Sequence, residues 1–168
     1  MKTALFNKLL LKTAFSCMAC DGEIDNRELN LIRRLHQIKS IFGDIDIDNE
    51  INIMLYEINL DCKKFLRAYF FELKSYILSE QEELKIIEVA VKIIKADEKV
   101  KYAEVKFFKF IRSKLKINDY LILSKFPDFE EFLEDDIVNE SYVSNLLNSY
   151  LDSITLPRLK IINNFENF

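Results

Sequence analysis

The chain has 168 residues, of which 49% are apolar by type and 31% are charged, and it contains only two glycines and two prolines. So few turn-forming residues exclude a β-sandwich or barrel, and they exclude a disordered or collagen-like chain. The 24 basic and 28 acidic side chains give a net charge of -4, so the overall field favours neither nucleic acid nor an anionic membrane. We therefore expect an all-α protein, formed by one domain or by one domain with an extension.

The chain has three cysteines, Cys17, Cys20 and Cys62, which are too few to stabilise a chain of this length by disulfide bonds. This usage predicts a reduced, cytoplasmic protein. The apolar N-terminal segment is similar to an export signal, but Lys8 and Lys12 interrupt it, which a signal segment would not tolerate. No stretch approaches the roughly 18 apolar residues of a membrane span, so none is expected.

Apolar and small residues at helical spacing predict a first helix that ends at Cys20. Residues 21–25 break this pattern. A second helix follows, in which Asp25 stands three residues before Glu28 as in a capping box. We expect this helix to run to about Gly43, because glycine readily adopts the positive φ of a helix C-terminal stop.

Residues 44–48 alternate like a short strand, but no partner strand is nearby, so we predict a loop followed by a third helix containing Ile51 and Ile58. A strongly apolar helix is predicted from Cys62 to Leu78.

Ser79 and Glu82 form a second capping-box pattern, which predicts the start of a new helix that ends near Ala96. After the break that follows, a further helix is predicted to end at about Ile117.

The two breaks resemble each other. An offset of 76 residues aligns Asp21 with Asp97 and Glu28 with Glu104. The same offset also aligns apolar positions of the flanking helices, namely Leu11 with Ile87, Ala14 with Ala90, Ile24 with Val100, Leu29 with Val105, Ile32 with Phe108 and Leu35 with Ile111. An internal repeat of a helical hairpin explains this pattern.

Both copies contain an Asp, an Ile or Val three residues later and a Glu seven residues later, and this motif resembles that of the TerB-like family. The family is named for tellurite-resistance proteins and is shared with the N-terminal domain of DjlA-type co-chaperones. The first copy is close to the family pattern, whereas the second has Glu98 in place of the usual Gly and Lys101 in place of a small or acidic residue.

The resemblance covers residues 1–117 and implies a TerB-like bundle of two pseudo-symmetric helical hairpins plus extra helices, with the two acidic loops near one another. It also implies a role in bacterial stress response of the tellurite-resistance type, or in defence, and metal binding by the acidic residues.

These acidic residues offer hard oxygen ligands of the kind that Ca²⁺ and Mg²⁺ prefer. The candidate metal ligands are Asp21, Glu23, Asp25, Glu28, Asp97 and Glu104. A purely structural interpretation stays open, in which Asp25 and Glu28 cap the second helix and the two aligned aspartates stabilise turns. An EF-hand counted from Asp21 is excluded, because Asn26 and Ile32 stand where the invariant Gly and Glu should be.

Other catalytic patterns are weak. Cys17 and Cys20 have Cys-x-x-Cys spacing, which can bind zinc or exchange thiols. Redox motifs lie at the N-terminal end of a helix, whereas this pair lies at a C-terminal end. We therefore expect the two cysteines to be small buried residues. His36 aligns with Arg112, which predicts a boundary or surface position without a catalytic role. With no nucleophile triad and no phosphate-binding glycine loop, we expect a protein that is not an enzyme.

The last fifty residues differ from the rest. Residues 118–168 carry ten acidic and three basic side chains, a net of -7, whereas residues 1–117 carry 21 basic and 18 acidic ones, a net of +3. We therefore predict a domain at 1–117 and an acidic helical extension at 118–168, with one short helix over Asp128–Asp136 and another before Pro157.

Amphipathic helices need a surface to cover, so the extension is expected to dock mostly on its own domain or, alternatively, on a partner protein. Two functions remain open at this point: a module that binds a divalent cation through the acidic loops, and a protein-interaction adaptor in which the acidic residues are structural caps.

Overall fold

The computed structural model describes residues 3–20, 22, 24, 26–96, 102–133 and 149. Over these residues the chain is helical and contains no strand, which confirms the expected all-α class. The helices are α1 (Thr3–Ala19), α2 (Asn26–Lys39), α3 (Ile47–Ser75), α4 (Glu80–Ile94), α5 (Tyr102–Arg112), α6 (Asp119–Lys125), a 3₁₀ helix (Pro127–Phe129) and α7 (Glu130–Leu133). None of the helices in this part of the chain is long and apolar enough to cross a membrane.

Helix α1 is the centre of the bundle. It packs against α3 on one side and α4 on another, and in its second half, from Thr13 to Ala19, every residue is buried. A helix surrounded by protein lacks a charged face, and this half of α1 contains no charged residue. Residues 3–19 therefore form a core helix.

The helices that the 76-residue offset pairs occupy corresponding positions along the chain. Helix α2 begins at Asn26 and α5 begins at Tyr102, and the paired helices α1 and α4 pack against each other. The aligned positions Ile32 and Phe108 are both buried. The pseudo-twofold relation between the hairpins stays a prediction, because the breaks at residues 21, 23, 25 and 97–101 lie outside the described residues.

The expected end of α2 at Gly43 is wrong. The helix ends at Lys39, and Ser40 takes a positive φ of 44° directly after it. The chain then turns back. Phe42 lies in this turn, its side chain is buried, and its ring stacks with that of His36. Phe42 continued the apolar period of the helix in sequence, but its burial comes from tertiary packing.

Helix α3 combines the two helices that were predicted separately. Asp61 has non-helical φ and ψ of -162° and 92°, which kinks the helix, and its Oδ1 accepts a hydrogen bond of 2.9 Å from the backbone N–H of Lys64. Asp61 thus acts as an internal N-cap at the predicted boundary. The helix ends at Ser75 rather than at the predicted Leu78.

The capping box at the start of α4 is confirmed. The Ser79 hydroxyl accepts from the backbone N–H of Glu82, and the Glu82 carboxylate accepts from the backbone N–H of Ser79. Helix α5 ends at Arg112, earlier than the predicted Ile117. The chain beyond it is held by the buried Glu83 carboxylate, which accepts from the backbone N–H of Lys116 (2.7 Å) and of Ile117 (2.6 Å).

Residues 119–133 pack on α4 and α5. Phe129 is buried, and its ring lies against that of Phe108 with centroids 5.3 Å apart. The predicted helix over 128–136 is a 3₁₀ turn followed by α7, and its remainder lies outside the described residues. Docking on the chain's own helices is thus confirmed for residues 119–133, in which Glu130 and Glu131 are exposed, whereas the domain boundary at 117 stays a prediction.

Candidate functional site

Two of the six predicted metal ligands lie in the described part of the chain. Glu28 is half-buried in the first turn of α2, and Glu104 is buried in the first turn of α5. Asp21, Glu23, Asp25 and Asp97 lie outside the described residues. Among the described residues no three His, Cys, Asp or Glu side chains are grouped so that they could hold a metal ion. The cation site therefore stays a prediction.

Glu104 lies in the interior, next to α1. Its side chain is only 6% exposed, and its charge acts on Cys17 of α1. Burial, with a smaller contribution from the Glu104 charge, raises the pKa of the Cys17 thiol far above its ordinary value. A carboxylate at such depth requires hydrogen-bond donors or a positive charge to compensate for lost hydration.

Both cysteines of the Cys-x-x-Cys spacing are buried, as expected. The Cys20 thiol donates to the backbone carbonyl of Cys17 (2.9 Å), so it lies along the helix rather than facing a second thiol. Zinc binding and thiol exchange both need a thiolate, which the raised pKa of Cys17 disfavours at neutral pH. Burial and the neighbouring Asp61 also raise the pKa of the half-buried Cys62, to about 11.

A buried polar strip joins α1 to α3. The Tyr69 hydroxyl donates to Thr13 Oγ1 (3.1 Å), and the Thr13 hydroxyl donates to the backbone carbonyl of Leu9 (2.9 Å). Burial and the nearby Cys17 raise the pKa of Tyr69, against the opposing hydrogen bond to Thr13. These bonds fix how α1 and α3 pack. His36, half-buried on α2 as predicted for a boundary position, is not part of this strip.

An apolar stripe on the outer surface of α3 was not predicted from the sequence. It consists of Ile53, Tyr56 and Leu60, which are 43%, 64% and 68% exposed. Their spacing of three and four residues places them on one helix face, opposite the buried Met54 and Ile58. The sequence does contain a signal for the stripe, because this part of α3 is apolar on two faces. The face of Met54 and Ile58 alone was sufficient to predict a core helix, so the second face received no separate prediction.

Comparison of the chain with protein-family models, with curated proteins and with solved structures finds no significant match. The TerB-like resemblance therefore depends on the repeated motif of Asp21 to Glu28 and Asp97 to Glu104.

Proposed function

We propose that this chain is a non-catalytic, TerB-like helical protein of a bacterial stress or defence pathway, located in the cytoplasm, and that it acts by binding another protein. The observation that supports the binding role is the stripe of Ile53, Tyr56 and Leu60 on the outer face of α3. Large apolar side chains grouped on one exposed face are typical of interaction surfaces, because covering them with protein releases ordered water.

The spacing of the stripe indicates what the partner presents. Side chains at i, i+3 and i+7 are the positions through which two helices pack side by side, so the fitting partner is a helix with an apolar face. Asn52 and Glu57 are exposed beside the stripe, and of the two Glu57 carries a negative charge. Covering each large side chain completely would contribute about 1.5–3 kcal/mol before ordering entropy is subtracted, and these are already partly covered.

A matched pair of variants tests this proposal. One variant carries Ile53→Ser, Tyr56→Ser and Leu60→Ser. The control carries Phe71→Ser and Ile77→Ser, which remove two side chains that are 75% and 94% exposed elsewhere on the surface. All these changes lie at the surface, so the stability of the fold should change little.

The measurement is quantitative affinity purification with the full chain and both variants, followed by a titration with the purified partner. We expect a partner that the unchanged chain and the control bind equally and that the triple variant binds at least tenfold more weakly. A partner retained by the triple variant would contradict a role for the stripe.

A divalent cation at the acidic loops is the second candidate, and the repeated acidic motif of Asp21 to Glu28 and Asp97 to Glu104 supports it, because carboxylate oxygens are the ligands that Ca²⁺ and Mg²⁺ prefer. Adding Ca²⁺ or Mg²⁺ at a hundredfold excess over its dissociation constant would then stabilise the fold by about 2.7 kcal/mol. Asp21→Asn with Asp97→Asn should abolish this gain, whereas Asp128→Asn should leave it. Identical thermal unfolding of the unchanged chain with and without the ion would exclude the site.

A further inference from the structure

A cavity of about 430 Å³ opens between the start of α1, the loop after α2 and helix α4. Asn7 and Leu10 of α1 line it, with Ser40, Gly43 and Asp44 of the loop and Lys85 of α4. None of its lining residues belongs to the α3 stripe or to the two acidic sequence motifs. Five of its nine lining residues have polar or charged side chains, so a ligand here would be recognised mainly through polar contacts.

The Asn7 side chain lacks a partner in this cavity. It is only 8% exposed, and it forms no hydrogen bond within the described part of the chain. Buried side-chain amides are nearly always hydrogen-bonded, since leaving one unpaired costs about 1–3 kcal/mol. Among the described residues, Ser16 Oγ and His36 Nδ1 are the side-chain atoms that are fully buried without a hydrogen bond. The Asn7 amide is not in this group, so its polar atoms stay accessible from the cavity.

The loop after α2 holds this amide in place. Gly43 has a φ of 63°, and a Cβ at its position would lie 2.0 Å from Asn7 Nδ2. Only glycine lets the backbone approach so closely with this φ. The Gly43 N–H donates to the Ser40 carbonyl (2.9 Å), which closes the turn over α1. The amide donors and acceptor of the cavity are therefore positioned before any ligand arrives.

Two opposite charges are among the lining residues of this cavity. Asp44 and Lys85 are both exposed and form no ion pair with the described residues. Lys85 does act electrostatically on Glu82, one turn earlier on α4. A simple anion would be attracted by Lys85 but repelled by Asp44, and a simple cation the reverse, whereas a molecule that carries both charges can orient so that each charge faces the opposite one.

From this arrangement we infer that the cavity binds a small zwitterion of the free amino acid class. The ligand carboxylate faces Lys85, its ammonium group faces Asp44, and the Asn7 amide supplies the hydrogen bonds of the floor.

The experiment is a titration of the ¹⁵N-labelled full chain, followed by amide chemical shifts. The probes are glycine and alanine, and the single-charge controls are acetate and methylammonium. We expect saturable shifts in residues 40–44 and in the first turns of α1 for the amino acids alone. Concentrations of up to about 50 mM would saturate even a 1 mM site.

Two surface variants locate the site. Lys85→Gln and Asp44→Asn should each weaken binding at least tenfold, whereas the control Lys74→Gln, an exposed lysine on α3, should not. Asn7→Leu should abolish binding, and its spectrum would report whether the fold is kept. The inference is overturned by the lack of saturable shifts, by equal binding of acetate, or by unchanged affinity in both charge variants.

Discussion

Replacing Phe129 with alanine tests whether residues 119–133 belong to the same folding unit as α1 to α5. Phe129 is fully buried, and its ring packs against Phe108 and is stacked on Phe132 at a centroid distance of 4.1 Å. The ammonium of Lys95 lies 4.9 Å from the centre of the same ring. The change removes all three contacts and leaves a cavity over α5.

The expected loss follows from these contacts. Truncating a fully buried Phe to Ala costs about 3–5 kcal/mol, which includes the transfer of the side chain and the cavity that remains. The Lys95 contact adds no more than about 0.5–1 kcal/mol, because Lys95 is partly exposed. For a chain of this size each kcal/mol lowers the Tm by roughly 2–4 °C, so a fall of about 10 °C is expected.

Urea unfolding followed by far-ultraviolet circular dichroism measures this loss. The control is Phe71→Ala, which removes a ring that is 75% exposed and should change stability by no more than about 0.5 kcal/mol. A chain that ends after Ile117 supplies the second comparison and should be much less stable than the full chain. A Phe129→Ala loss below about 1 kcal/mol, together with undiminished stability of the shortened chain, would refute the reasoning and make the extension an independent arm.

Three further outcomes are expected. Glu83→Leu should destabilise the fold by about 2–5 kcal/mol in thermal unfolding, because two backbone N–H groups lose their acceptor, and Glu83→Gln should cost less. Burial opposes ionisation of Glu88, but hydrogen bonds from two lysines outweigh it and keep its pKa below the ordinary value. Its stabilising effect is therefore present at neutral pH and lost as the pH falls through that lowered pKa, so urea unfolding should show the unchanged chain and Glu88→Gln converging in acid. With Ellman's reagent, native protein should react slowly at Cys62 alone, and unfolded protein at all three cysteines.

The features that the sequence predicts correctly depend on local chemistry. The capping box of Ser79 and Glu82 needs two side chains within one turn, so the spacing alone indicates it. The predicted boundary before Cys62 coincides with the kink of α3 at Asp61, although the structure joins the two predicted helices into one. The first helix is also predicted by local spacing, since apolar and small residues recur at helical intervals up to Cys20.

The features that the sequence does not predict depend on long-range contacts. Phe42 fits the apolar period of α2, yet it lies in the loop after that helix and is buried there. Its neighbour Gly43 lies close to Asn7, which is far away in sequence. Glu104 carries the pattern of a loop ligand, but the packing of α5 beside α1 buries it near Cys17. No local pattern distinguishes a buried carboxylate from an exposed one.

Helix α1 touches every region to which a function is assigned, and this decides which variants are informative. Asn7 lines the cavity, Thr13 is hydrogen-bonded to Tyr69 of α3, the helix that carries the stripe, and Cys17 lies near Glu104. A substitution in α1 would therefore disturb several regions together. Tyr56 and Lys85, by contrast, lie at the surface on different helices, and effects at separated sites without shared partners add independently. Loss of protein binding in Tyr56 variants with intact amino acid binding, and the reverse in Lys85 variants, would assign each property to its own surface.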